Sequence, residues 1–150
     1  MFILKFIVYM IVIYSILKPF ENHLVYNVAY QSYLLLKIFT DTSYSGNHIY
    51  LNRFDIEIVA PCTGIIFISL YLALLLSLSK NIKEVIAGVP LLVIIYLGNI
   101  LRIFLTGFFG EIFSEKVQWV HEVVGYLILP IFSVIATLMY LKILSRMRSK

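Results

Sequence analysis

A single cysteine in 150 residues excludes an internal disulfide. Charge is scarce as well: 13% of the chain is charged and 61% is hydrophobic, far from the balance of a water-soluble domain. A chain of this length could not hide so much apolar surface from water, so the bilayer is the expected solvent. Zinc-ligand spacing, a phosphate-binding loop and a nucleic-acid motif are all missing. No metal, cofactor or nucleic-acid partner is therefore expected. The first apolar run also lacks a small-residue cleavage site. Lys18-Pro19-Phe20 follows it instead, so it reads as a span rather than a removable signal. There is no internal repeat or low-complexity run, and residues 1–150 read as one domain.

What the chain does have is long apolar runs. A spanning helix needs roughly 20 mainly apolar residues. Three runs qualify: Cys62 to about Ser79, about Val85 to Phe109, and about Val120 to Leu144. Phe2 to Leu17 is a slightly short fourth. The run from about Leu24 to Phe39 carries Asn27, Gln31 and Lys37. It is expected as a fifth span, with an interfacial amphipathic helix as the alternative. The expected fold is an all-α membrane protein, a bundle of about five transmembrane helices.

Basic residues set the expected orientation. Lys18, then Lys80 and Lys83, then Lys142, Arg146, Arg148 and Lys150 mark three cytoplasmic regions. With five spans, the N-terminus would lie outside and the C-terminus in the cytoplasm. The outer connection from Thr40 to Pro61 is the one sizeable polar segment. It alternates with period two from Phe54 onward. Turn residues stand at Ser45-Gly46-Asn47 and at Asn52-Arg53. A short β-hairpin capping the outer face, before the third span, is expected.

Three polar side chains then converge on the outer leaflet. Cys62 opens the third span, Arg102 lies in the fourth, and His121 starts the fifth. Arg102 is the sole charge between Val89 and Phe109. Arginine within a span costs roughly 2.5–3.5 kcal/mol at the helix centre, and such residues usually face the bundle or a wet cavity. Asn99 and Thr106 share its helical face. Pro61 suits a first helical turn, which would set Cys62 among unpaired N–H groups at the positive end of a helix dipole. Both features favour a thiolate. Gly64 leaves room for a close approach. His121 offers a general acid or base near neutral pH.

Each residue alone has a plainer reading: Cys62 as a small hydrophobe, Arg102 as a snorkelling anchor, and His121 beside Trp119 as part of an aromatic belt. On those readings the chain would be a non-catalytic membrane scaffold or a small transporter subunit.

Ala60-Pro61-Cys62-Thr63-Gly64, then Asn99-Ile100-Leu101-Arg102, then His121 ahead of Gly125-Tyr126 together resemble the exosortase/archaeosortase family of membrane cysteine transpeptidases. Threonine stands where serine is commoner after the cysteine. The resemblance implies a multi-pass enzyme whose active site faces outside. It would cleave the C-terminal sorting signal of exported proteins, made of a short motif, one transmembrane helix and a basic tail. The new C-terminus would pass through a Cys62 thioester to a lipid or other acceptor. Arg102 and His121 would complete the site, with Thr63, Gly64, Asn99 and Thr106 supporting them or the substrate.

Overall fold

The structure, a computed structural model, describes residues 2–149. The chain is an all-α bundle carrying one small sheet. Its helices are α1 (Phe2–Leu17), α2 (Glu21–Leu36), α3 (Ile65–Leu78), α4 (Ile82–Gly88), α5 (Leu92–Ile112) and α6 (Val117–Arg148). The strands β1 (Ser43–Ser45), β2 (His48–Tyr50) and β3 (Asp55–Glu57) lie between α2 and α3.

The path of the first two apolar runs differs from the expectation. Lys18–Phe20 forms a 3-10 turn rather than a reversal. Pro19 removes one N–H from the α-helical ladder there, and the backbone tightens locally to 3-10 while Leu17 keeps helical dihedrals. Helical structure is thus unbroken over the 35 residues from Phe2 to Leu36. The two halves do not pack on each other; α1 lies along α3, while α2 packs on α5, the Ala60–Thr63 turn and the first two strands. Leu24–Phe39 is therefore not a separate crossing. Since α2 adjoins the turn that precedes α3, α1 runs back along α3 toward Leu78. That brings Phe2 to the same end of the bundle as Arg148, and the N- and C-terminal ends share one side.

Two further helical runs are long and apolar enough to cross a membrane, Ile82–Ile112 and Ser114–Arg148, while α3 is shorter. With Phe2–Leu36, three helical runs among the described residues are long and apolar enough to cross. Lys5, Lys80, Lys83, Arg146 and Arg148 collect at one end, called here the basic end.

That end is closed by matched polar contacts. Asn81 caps α4, its side-chain oxygen accepting from the Glu84 N–H at 3.0 Å. The buried Glu84 carboxylate accepts from Arg148 Nε at 3.0 Å and Nη2 at 2.7 Å, and from the Lys80 N–H at 2.7 Å. Arg148 Nη2 also donates to the Leu78 carbonyl at 2.7 Å. Deeper in, the Tyr71 hydroxyl donates to the Gly88 carbonyl at 2.9 Å, and the Tyr140 and Ser79 hydroxyls meet at 2.6 Å.

The expected hairpin has a third strand. β1, β2 and β3 form an antiparallel meander in sequence order. Both sets of turn residues are used. Gly46 takes φ +64° at the first position of the two-residue β1–β2 turn, the place where a type II′ hairpin requires glycine. Ile49 and Ile58 turn inward to a core with Val28, Ala29, Leu36, Ile100 and Ile103. Gly107 and Gly110 let β3 lie close on α5. A Cβ at Gly110 would stand 2.6 Å from the Phe54 ring, and one at Gly107 2.9 Å from Leu36 and 3.2 Å from Ile56. Phe54 thus meets α5 at 110, Ile56 at 107 and Cys62 at 99. The chain after β3 descends along α5 into the bundle.

Candidate active site

The Ala60–Thr63 segment is a 3-10 turn with Pro61 at its start. It is separate from α3. Gly64 takes φ +75°, a left-handed conformation, and serves as N-cap of α3 at Ile65. Cys62 therefore lies one short turn ahead of the helix, not in its first turn as the proline suggested. Its N–H is already bonded to the Val59 carbonyl at 2.7 Å. The Thr63 hydroxyl donates to the Ala60 carbonyl at 2.7 Å and accepts from the Ile65 N–H at 3.4 Å. Thr63 is buried and structural in its contacts.

Asn99 ties this turn to α5. Its Nδ2 donates to the Cys62 carbonyl at 2.7 Å. A Cβ at Gly64 would come 3.2 Å from the Asn99 amide carbon, so only glycine lets turn and helix meet so closely. Asn99 is 1% exposed, and its Oδ1 has no hydrogen-bond partner among the described residues. One turn along α5 stands Arg102. Its carbonyl accepts from the Thr106 hydroxyl at 2.9 Å. Among the described residues no carboxylate pairs with the Arg102 guanidinium.

Cys62, Arg102 and His121 line one cavity, together with Ile56, Glu57, Ile58, Ile103 and Thr106. Its volume is about 30 Å³, room for a water-sized group. Arg102 and His121 also line an adjoining groove of about 290 Å³ with Phe67, Glu122, Gly125, Tyr126 and Pro130. The groove lies between α3, α5 and α6, and Gly125 leaves it open, with nothing within 4 Å of a Cβ placed there. The three groups are staggered in depth. Gly98 of α5 packs on Phe132 of α6, and this register puts His121 roughly 10 Å outward of Arg102 by helical rise. The half-buried Arg102 lines both the cavity and the groove.

Helix lengths give the depth of the site. The hydrocarbon core is about 30 Å thick. Measured from Ile82 at the basic end, roughly 30 Å of helix reaches Arg102. A crossing that began at Ile82 would therefore end near Arg102.

Some members of the site were not legible in advance. Glu57 was not singled out from the sequence, yet β3 carries it to the cavity. Glu122, next to His121 in sequence, instead accepts from Gln118 Nε2 at 3.0 Å. His48, which has no partner at helical spacing, finds Asp55 Oδ2 at 3.2 Å across the strands. Period-two spacing was the signal for that pair. Among the described residues, no group of His, Cys, Asp and Glu side chains could hold a metal ion.

The chain is similar to known proteins along nearly all its length. Residues 1–141 match the family described as "Transmembrane exosortase (Exosortase_EpsH)". A protein of Methanocaldococcus jannaschii described as "Probable archaeosortase E" is 34% identical over 149 residues, covering 99% of this chain and 81% of that one. A second, "Probable archaeosortase D" of the same organism, is 29% identical over 135 residues, covering 87% of this chain and 82% of the relative. No solved structure matches.

Proposed function

Since the chain belongs to the exosortase/archaeosortase family, we propose that it is a membrane cysteine transpeptidase acting on the C-terminal sorting signals of exported proteins. One observation carries this reading: the chain's single thiol, an arginine with no carboxylate partner among the described residues and an exposed imidazole line one cavity. The basic end would face the cytoplasm by the positive-inside rule. The site would then open outside, where exported proteins arrive.

In this mechanism the Cys62 thiolate attacks the scissile carbonyl. The C–N bond breaks and a thioester forms. Arg102 stabilises the negative charge that builds on the carbonyl oxygen. His121 gives a proton to the departing amine, then takes one from the incoming acceptor. Attack by the acceptor releases the product and restores the thiolate. A hydroxyl- or amine-bearing acceptor, such as a lipid, makes the reaction a transpeptidation; water makes it hydrolysis. The free Asn99 oxygen is available to hold the Arg102 fork or a substrate N–H.

The test is co-expression with an exported protein that ends in a motif, one transmembrane helix and a basic tail. The chain with Cys62 should change the mass of that protein. Cys62→Ala should leave it whole while the variant still accumulates in the membrane. Processing by Cys62→Ala at the normal rate would remove the nucleophile assignment. A membrane-impermeant maleimide, which finds one thiol in this chain, reads the orientation: labelling of intact cells places Cys62 outside.

A further inference from the structure

β3 is the edge strand of the sheet. On its paired side, Ile56 lies opposite Ile49 and Glu57 opposite His48. Two flanking bonds fix the alternation. The Leu51 N–H donates to the Phe54 carbonyl at 2.9 Å, and the Ile58 N–H to the Asn47 carbonyl at 2.8 Å. Positions 54, 56 and 58 therefore turn their main-chain groups toward β2. Asp55 and Glu57 turn theirs away. Among the described residues nothing pairs with the outward N–H and C=O of Glu57.

Open edges usually lie under a cover or at a bulge, because they recruit other strands. This one instead runs into the site. Ile56, Glu57 and Ile58 line the cavity that holds Cys62, Arg102 and His121. We infer that the substrate's sorting segment adds to β3 as a fourth, extended strand, pairing its main chain with Glu57 and so delivering the scissile carbonyl to Cys62. This rests on the reading of Cys62 as nucleophile and names how that site takes its substrate.

The chemistry of the edge selects the occupant. Alternating main-chain donors and acceptors at strand spacing match an extended peptide. A helix has its own main chain satisfied, and a lipid headgroup has no such repeat. The added strand would turn alternate side chains to the face that carries His48, Asp55 and Glu57. The others would turn to the face of Ile56, toward the core. Specificity would then read every second residue of the segment.

Cross-linking tests this apart from catalysis. In Cys62→Ala the chain has no other thiol, and Asp55→Cys places one on the outer face of β3. The probe is the tripartite tail of a co-expressed exported protein, with single cysteines moved one residue at a time along the segment before its helix. Disulfides at every second position are expected, since side chains on one face of neighbouring strands stand together. Cross-links at helical spacing, at no position, or only between two copies of the chain would overturn the inference. A second variant reads function. Glu57→Pro removes the outward N–H at an edge position that tolerates proline. It should slow processing about tenfold, as loss of one hydrogen bond does; an unchanged rate would count against the added strand. A tail captured by Asp55→Cys but left whole by the chain with Cys62 would sink the nucleophile and keep the edge. A tail cut but never captured would do the reverse.

Discussion

Glu84 and Asn99 are both buried polar side chains on one helical run of 31 residues. Glu84 stands at the basic end with both oxygens bonded, to Arg148 and to the Lys80 N–H. Asn99 stands near the other end with its amide oxygen unmatched. Near it, among the described residues, are a guanidinium without a carboxylate and a strand edge without a neighbour. A buried polar group without a partner costs about 1–3 kcal/mol. The basic end avoids that cost, and the site end bears it. The difference teaches where the fold holds itself together and where it is left open for another molecule.

Substitutions at the two ends should therefore separate activity from stability. The largest effect is expected at Arg102. Arg102→Lys keeps the charge and loses the fork of donors. Processing of the co-expressed tail should fall about 100-fold, the usual scale for losing an oxyanion donor, while the thermal midpoint in detergent barely moves. A full rate would show that charge alone suffices. Next comes Arg148→Met, which leaves Glu84 buried without its partner. The thermal midpoint should drop clearly, and replacing Glu84 by Met as well should recover much of the loss, because removing both charges is far milder than removing one. Failure of the double variant to recover would mean that the clasp is not what holds this end. The smallest effect is expected for Tyr71→Phe, which deletes the donor to the Gly88 carbonyl. About 1 kcal/mol of stability should be lost, read in the same unfolding assay, with the processing rate of the folded fraction unchanged.

The gathering of Cys62, Arg102 and His121 was foreseeable because a polar residue in an apolar run is conspicuous, and because the remaining basic residues fixed the relative direction of the later helices. Lys18-Pro19-Phe20 misled for a physical reason. An interior proline can loosen or kink a helix without reversing it, and packing of α1 on α3 and α2 on α5 decides between the two outcomes. With α1 running back along α3, Lys5 moves from the site end to the basic end, while Lys18, expected at a cytoplasmic turn, lies instead between α1 and α2 and no longer marks that end. The place of Glu57 depends on a contact distant in sequence, the seating of Phe54 and Ile56 on Gly110 and Gly107. Two glycines one turn apart near the end of a helix were the available hint of such a close approach. The separation of Cys62 from α3 depends on one positive φ at Gly64, a conformation the residue permits but does not dictate.

The third helix has only 14 residues, a rise of about 21 Å. On the proposed function it would work as a ruler, setting the height of the sulfur relative to the substrate's own helix. A peptide bond at that height would be reached, and one carried outward by inserted spacer residues would not. Selection by distance from the membrane would thus accompany any selection by side chain, and it would follow from helix length alone.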